Sequence, residues 1–174
     1  MGREVIDTNV LTIATALHAG WGHPRIPLAE IELVRKVFEW VRAFKEDPSR
    51  HLVMDQGRTI RKEYASRNNM PDFFHYGLQV VQHKFDTNAT CWVDLEYWDN
   101  GDERVARLPE EVEPLVHDLG DRKMIAAAAK AGACIVNACD SDWTGEKEQR
   151  ALKMMGVEVV QILSESERAH CKGR

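Results

Sequence analysis

Three short apolar runs in this sequence end in or beside an aspartate: Glu4-Val5-Ile6-Asp7, His51-Leu52-Val53-Met54-Asp55, and 133–138 followed by Cys139-Asp140. The second and third are continuous rather than alternating, which is how strands read when both faces are covered, as in a parallel sheet. Parallel neighbours need a crossover between them, usually a helix. The intervening segments supply it. Leu11, Ala14 and Leu17 share one helical face, and Ile31, Val34, Phe38, Val41 and Phe44 recur at helical spacing across 27–45. Pro27 is placed for a first turn there and Asp47-Pro48 for a stop.

Further helices are predicted over 58–68, 72–84, 121–131 and 146–155, and strands over 133–138 and 157–162, with Gly132 and Gly156 at helix ends. This alternation predicts an α/β fold: three α/β/α layers around a mostly parallel central sheet. Cys91, Val93, Leu95 and Tyr97 alternate with polar or bulky neighbours and predict one strand. Asn100-Gly101, a pair that tolerates positive φ, separates it from Arg104-Val105-Ala106. A β-hairpin inserted within 86–114 is therefore expected. One domain is assigned to 1–163 and a polar tail to 164–174, where Ser164 and Glu167 have capping-box spacing.

Composition narrows the function classes. At 174 residues the chain fits a single domain, and no apolar run approaches the roughly 20 residues that cross a bilayer. Glu4 interrupts any secretory leader, and Ile6 stands where a myristoylation motif wants Ser or Thr, so a soluble, cytoplasmic protein without membrane contact is expected. Cys91, Cys134, Cys139 and Cys171 lack CxxC spacing and are expected as thiols, neither bridged nor bound to zinc. The net charge of −5 argues against broad electrostatic capture of nucleic acid. Carboxylates that hold divalent cations would contribute to that same count, and the bound ion would reverse the local sign.

In open parallel sheets ligands bind beyond the carboxyl ends of the strands, so residues distant in sequence converge there. Asp7, Asp55 and Asp140 end predicted strands, Asp121 opens the 121–131 helix, and Asp118 lies one turn before it. Any single Asp in such a place serves equally well as a turn residue or helix cap. Glu63 falls at the boundary of the buried stripe of its helix, with a solvated side chain as the simpler alternative, and Asp142 stands two residues beyond Asp140. Arg58, Arg61 and Lys62 lie on the same helix as Glu63 and are candidates for phosphate contact. Trp21, Trp92, Trp98 and Trp143 are assigned to packing, and His18 and His23 show no ligand pattern.

Val5-Ile6-Asp7-Thr8-Asn9-Val10-Leu11 resembles the opening of PIN domains, an Asp closing the first strand before a Thr-Asn turn. Asp118-Leu119-Gly120-Asp121, the Ala-rich helix and Cys139-Asp140 resemble the second half of that family, with Glu63 where it carries its mid-chain acid. The resemblance spans most of 4–163. It departs at Ala138-Cys139, where a Ser or Thr is usual, and in the length of 86–114.

The resemblance implies a metal-dependent nuclease, most simply an endoribonuclease on single-stranded RNA. Asp7, Glu63, Asp121 and Asp140 would be the catalytic acids, with Asp7, Asp118, Asp121 and Asp140 holding Mg²⁺ or Mn²⁺ and Asn9, Arg58, Arg61 and Lys62 meeting substrate. A homodimer or an inhibitory protein partner is compatible with it. The alternatives are a catalytically silent RNA- or protein-binding scaffold and a structure-specific DNA nuclease. A haloacid-dehalogenase-type phosphatase would need an Asp where Asn9 stands.

Overall fold

The computed structural model describes residues 2–18, 31–66, 75–101 and 103–169. Strands are β1 (Gly2–Ile6), β2 (Arg50–Asp55), β3 (Thr90–Val93), β4 (Tyr97–Asn100), β5 (Glu103–Ala106), β6 (Cys134–Asn137) and β7 (Val159–Gln161). Helices are α1 (Thr8–His18), α2 (Ile31–Glu46), α3 (Thr59–Ser66), α4 (Tyr76–Asp86), α5 (Leu119–Ala131), α6 (Glu146–Met155) and α7 (Glu165–Ala169). Trp21, His23, Pro27, Cys171 and the segments 67–68 and 72–74 of the predicted helices lie outside the described residues, as does 170–174.

Five strands form an all-parallel sheet in the order β3-β2-β1-β6-β7, covered by helices on both faces. The chain winds outward from β1 through β2 to β3, then returns to the other side of β1 for β6 and β7. The order thus reverses between β1 and β6, and a crevice opens where neighbouring strands send their connections to opposite faces. Asp7 follows β1, and Asp140 follows β6 by three residues. The Asp7 N–H donates to the Val136 carbonyl at 2.9 Å, so both loops leave the sheet at the same level.

Val5, Ile6, Leu52, Val53, Met54, Ile135 and Val136 are buried, as two-sided coverage requires. Helices α1, α2 and α4 pack against one another, while α5 lies across β1, β2, β3 and β6. The Ala-rich run explains how close α5 can come, since Ala126, Ala127 and Ala128 are all buried. Helices α5 and α6 stop at Gly132 and Gly156, both at positive φ, which glycine adopts without steric cost. Among the described residues no helix is long and apolar enough to cross a membrane. Cys91 and Cys134 are free thiols.

The single strand predicted across Cys91 to Tyr97 is in fact two. β3 runs beside β2 from the Leu52↔Thr90 pair to Asp55↔Val93, and there its partner ends. The chain leaves the sheet, buries Leu95, and starts a separate antiparallel hairpin, β4 on β5. The first part of 86–114 is therefore integral to the central sheet, and the hairpin occupies Tyr97–Ala106. Its turn also sits one residue later than predicted, because Asn100 pairs with Glu103 and Gly101, at φ 65°, is the first loop position.

At the start of the strands the charges are matched. Arg50 grips Glu4 through two bonds of 2.9 and 2.8 Å and lies over the Trp40 and Phe44 rings. The buried Lys84 ammonium donates to the carbonyls of Asp47 and Arg50 at 2.8 and 2.9 Å. At the strands' other end the balance is different.

Candidate functional site

Asp7 is buried, and both of its oxygens are engaged. One accepts the Asn9 backbone N–H at 2.9 Å, the standard turn from a strand into a helix. The other accepts the indole N–H of the buried Trp143, which belongs to a 3-10 turn, Asp142–Thr144, in the loop after β6. Burial raises the Asp7 carboxyl to about 6 against the two hydrogen bonds that lower it, with the charges of Asp140 and Glu63 raising it further.

Asp118 is the N-cap of α5, its carboxylate accepting the Gly120 N–H at 2.6 Å. The capping explanation offered for Asp121 thus belongs to Asp118. Asp121 stands in the first turn of α5, half-buried, and its carboxyl is pushed up to about 8. Burial is the largest cause, followed by the charges of Asp118, Asp7, Asp140 and Asp142. Those charges come to Asp121 from three segments: the end of β1, the start of α5 and the loop after β6.

Oxygens of Asp118, Asp121 and Asp142 lie within 4.8 Å of one another. The exposed Asp142 is itself raised, by burial first and then by Asp140 and Asp118. Among the described residues none of Asp7, Asp118, Asp121, Asp140 and Asp142 forms an ion pair. Sparsely solvated like charges without a counterion are costly, and the raised carboxyls express that cost. The donors are all hard oxygens, the set that Mg²⁺ or Mn²⁺ takes, so the residues present fit such an ion.

Glu63 reaches the same region from α3 but is differently held. Thr8 donates to one of its oxygens at 3.1 Å, and the Lys123 ammonium lies 2.5 Å from the other. Both partners of that ion pair are only 14% exposed, so the pair is shielded from solvent and the Lys123 charge stands directly against that of Glu63. The neighbouring Tyr64 hydroxyl donates to the Ile6 carbonyl at 2.6 Å, locking α3 to the end of β1 just before Asp7.

A polar lattice sets the loop that carries Asp140. The buried Asn137 side chain donates to the Asp140 carbonyl at 2.8 Å and to Gln161 at 2.9 Å, and accepts the Asp140 N–H at 3.1 Å. Asn9 donates to the same Asn137 oxygen at 2.9 Å and accepts the N–H groups of Ala138 and Cys139 at 3.2 and 3.3 Å. Asn9, expected to meet substrate, joins the loops after β1 and β6 through its side-chain amide. The Asp140 carboxylate accepts the Asp142 N–H at 2.9 Å, which orients the second acid of that loop.

The third strand-end acid does not join them. Asp55 is fully buried and satisfied by the N–H groups of Thr59 and Ile60, the Thr59 hydroxyl and the Tyr97 hydroxyl. It caps α3 and anchors the hairpin. Of the three basic candidates, Lys62 lines a groove beside the acids together with Glu63, Asp118 and Lys123. Arg61 points into a separate groove with Lys45, its guanidinium over the Phe85 ring. Arg58 is exposed in the β2–α3 turn at φ 58°.

Trp143 and Lys123 are the site residues that sequence reasoning missed. Trp143 carried a signal, since it lies three residues beyond Asp140 in the same loop. Lys123, two residues after Asp121, looks like any solvated helix lysine until α3 is placed beside α5. No protein-family model and no curated protein matches the chain.

Proposed function

We propose that this chain is a cytoplasmic PIN-type nuclease that hydrolyses phosphodiester bonds of single-stranded RNA with Mg²⁺ or Mn²⁺. The observation that carries the reading is a set of five aspartates at the β1/β6 switch point, unpaired by any described cation, with Asp7 and Asp121 raised to about 6 and 8. Uncompensated acids so arranged are poised to exchange protons for a divalent ion.

Asp7, Asp121 and Asp140 are the central ligands in this reading, and Asp118 and Asp142, whose oxygens cluster with those of Asp121, complete the set. A bound divalent ion supplies acidity to an attacking water and positive charge to a leaving oxygen. The chain's own contribution is placement. Trp143 fixes the Asp7 carboxylate, Asn9 and Asn137 fix the Asp140 loop, and Lys123 keeps Glu63 turned toward Thr8. Glu63 is then a site-shaping acid, held beside the metal ligands with its charge already balanced.

The test is incubation of the full chain with end-labelled single-stranded RNA and DNA in Mg²⁺, Mn²⁺ or chelator, with Asp140→Asn alongside. Metal-dependent RNA cleavage lost in the variant is expected. Equal cleavage by both proteins would refute the reading. RNA binding without cleavage would instead favour a silent scaffold, and cutting confined to branched DNA would favour a structure-specific DNA nuclease.

A further inference from the structure

The acidic site opens on one side into a groove of about 410 Å³, within the range of ligand clefts. Its walls are α3, through Thr59, Lys62 and Ser66, and the hairpin, through Glu103, Arg104 and Val105. We propose that this groove seats the stretch of single-stranded substrate flanking the cleaved bond, with Lys62 and Arg104 contacting its phosphates. The inference rests on the nuclease reading above and deepens it.

Continuity with the acids is the first support, because Asp118, Glu63 and Lys123 line the groove as well. Charge is the second. A chain of net charge −5 with an acidic centre repels a polyanion, so the strand must be met by cations whose charge is not already spent. Lys123 is spent on Glu63. Lys62 and Arg104 are exposed and, among the described residues, form no ion pair.

Arg104 is also held in place, which is the third support. Its guanidinium lies 4.4 Å from the centre of the Tyr97 ring, across the hairpin. Tyr97 is in turn clasped to the sheet by its hydroxyl, 2.5 Å from the buried Asp55 carboxylate and 3.1 Å from the Thr59 hydroxyl. Gly57 permits that approach, since a Cβ there would stand 3.0 Å from both Asp55 Oδ2 and Tyr97 Cε2. The hairpin thus presents a supported cation in the groove that Lys62 also lines, at lower entropic cost on binding than a free arginine would incur.

The experiment is anisotropy of a fluorescein-labelled single-stranded RNA 12-mer, and of its DNA counterpart, titrated with full-length Asp140→Asn protein across a range of salt. Lys62→Met, Arg104→Gln and Arg104→Lys are compared with a remote control, Lys153→Met on α6, and folding is checked by thermal melting. For single strands each phosphate contact contributes about 0.7 to the slope of log affinity against log salt. Lys62→Met and Arg104→Gln should each lower the slope by about 0.7 and weaken binding several-fold, while Arg104→Lys retains it and Lys153→Met changes nothing. Wild-type cleavage with unchanged slopes in both groove variants would overturn the groove assignment alone. Neither binding nor cleavage of any strand would overturn the nuclease reading and this inference with it.

Discussion

Trp143 donates its indole N–H to the Asp7 carboxylate across 136 residues of sequence. The bond ties the loop after β6 to the end of β1, and the other Asp7 oxygen is held by the Asn9 N–H. A hydrogen bond to a buried ionised group contributes about 1.5–3 kcal/mol. Trp143→Phe should therefore destabilise the metal-free protein by about 2–3 kcal/mol in urea denaturation at pH 7. A loss within 0.5 kcal/mol would show that Trp143 acts through packing alone.

Asp121 makes the metal-free protein sensitive to alkali. Its folded-state pKa, about 8, lies above the ordinary 3.8, so the folded chain holds a proton that the unfolded chain releases. The stability from that proton is complete below about pH 4 and is lost as pH rises toward 8; Asp7 behaves alike up to about 6. In chelator, Asp121→Asn should thus be more stable than the wild type at pH 8–9 and gain little at pH 4. Parallel urea midpoints across that range would contradict the charge crowding.

Divalent metal should reverse this dependence. An ion bound only by the folded state stabilises by about 2.7 kcal/mol at a hundred times its Kd. Mn²⁺ is expected to raise the melting temperature of the wild type most above pH 8, and progressively less as pH falls through 8 and then 6 and Asp121 and Asp7 protonate in turn. Asp121→Asn should show little of this effect. An identical melting curve with metal and with chelator would count against the site.

Asn9→Ala removes three bonds between the two site loops. At about 1 kcal/mol each, the expected loss is about 2–3 kcal/mol. The more telling readout is Mn²⁺ affinity by calorimetry, which should fall along with stability because the Asp140 loop loses its tether. Undiminished affinity would assign Asn9 to stability only.

The parallel sheet was legible because Leu52-Val53-Met54 and 133–138 lack alternation, and because helical faces such as Val34, Val41 and Phe44 sit between such runs. Asp7 and Asp140 were legible as acids after strands, and the reversal of strand order makes those two strands neighbours. Asp55 has the same local signature, and sequence could not separate it from them. Its difference lies in Tyr97, a residue 42 positions later that brings a hydroxyl to its carboxylate. Likewise the alternation of Cys91 to Tyr97 carried no sign that β2 stops at Asp55 and leaves Val93 the last paired residue.

Sequence by itself therefore determined the alternating α/β plan and the strand-end acids, because periodicity and turn chemistry act between near neighbours in the chain. Tertiary structure alone decided which acids remain uncompensated. Glu63 is ion-paired with Lys123 and Asp55 is satisfied by the hairpin, while Asp7 and Asp121 are left raised among their own kind. The physical reason is that a carboxylate's charge state depends on burial and on what lies within a few ångströms in space, and those neighbours come from loops far apart in sequence.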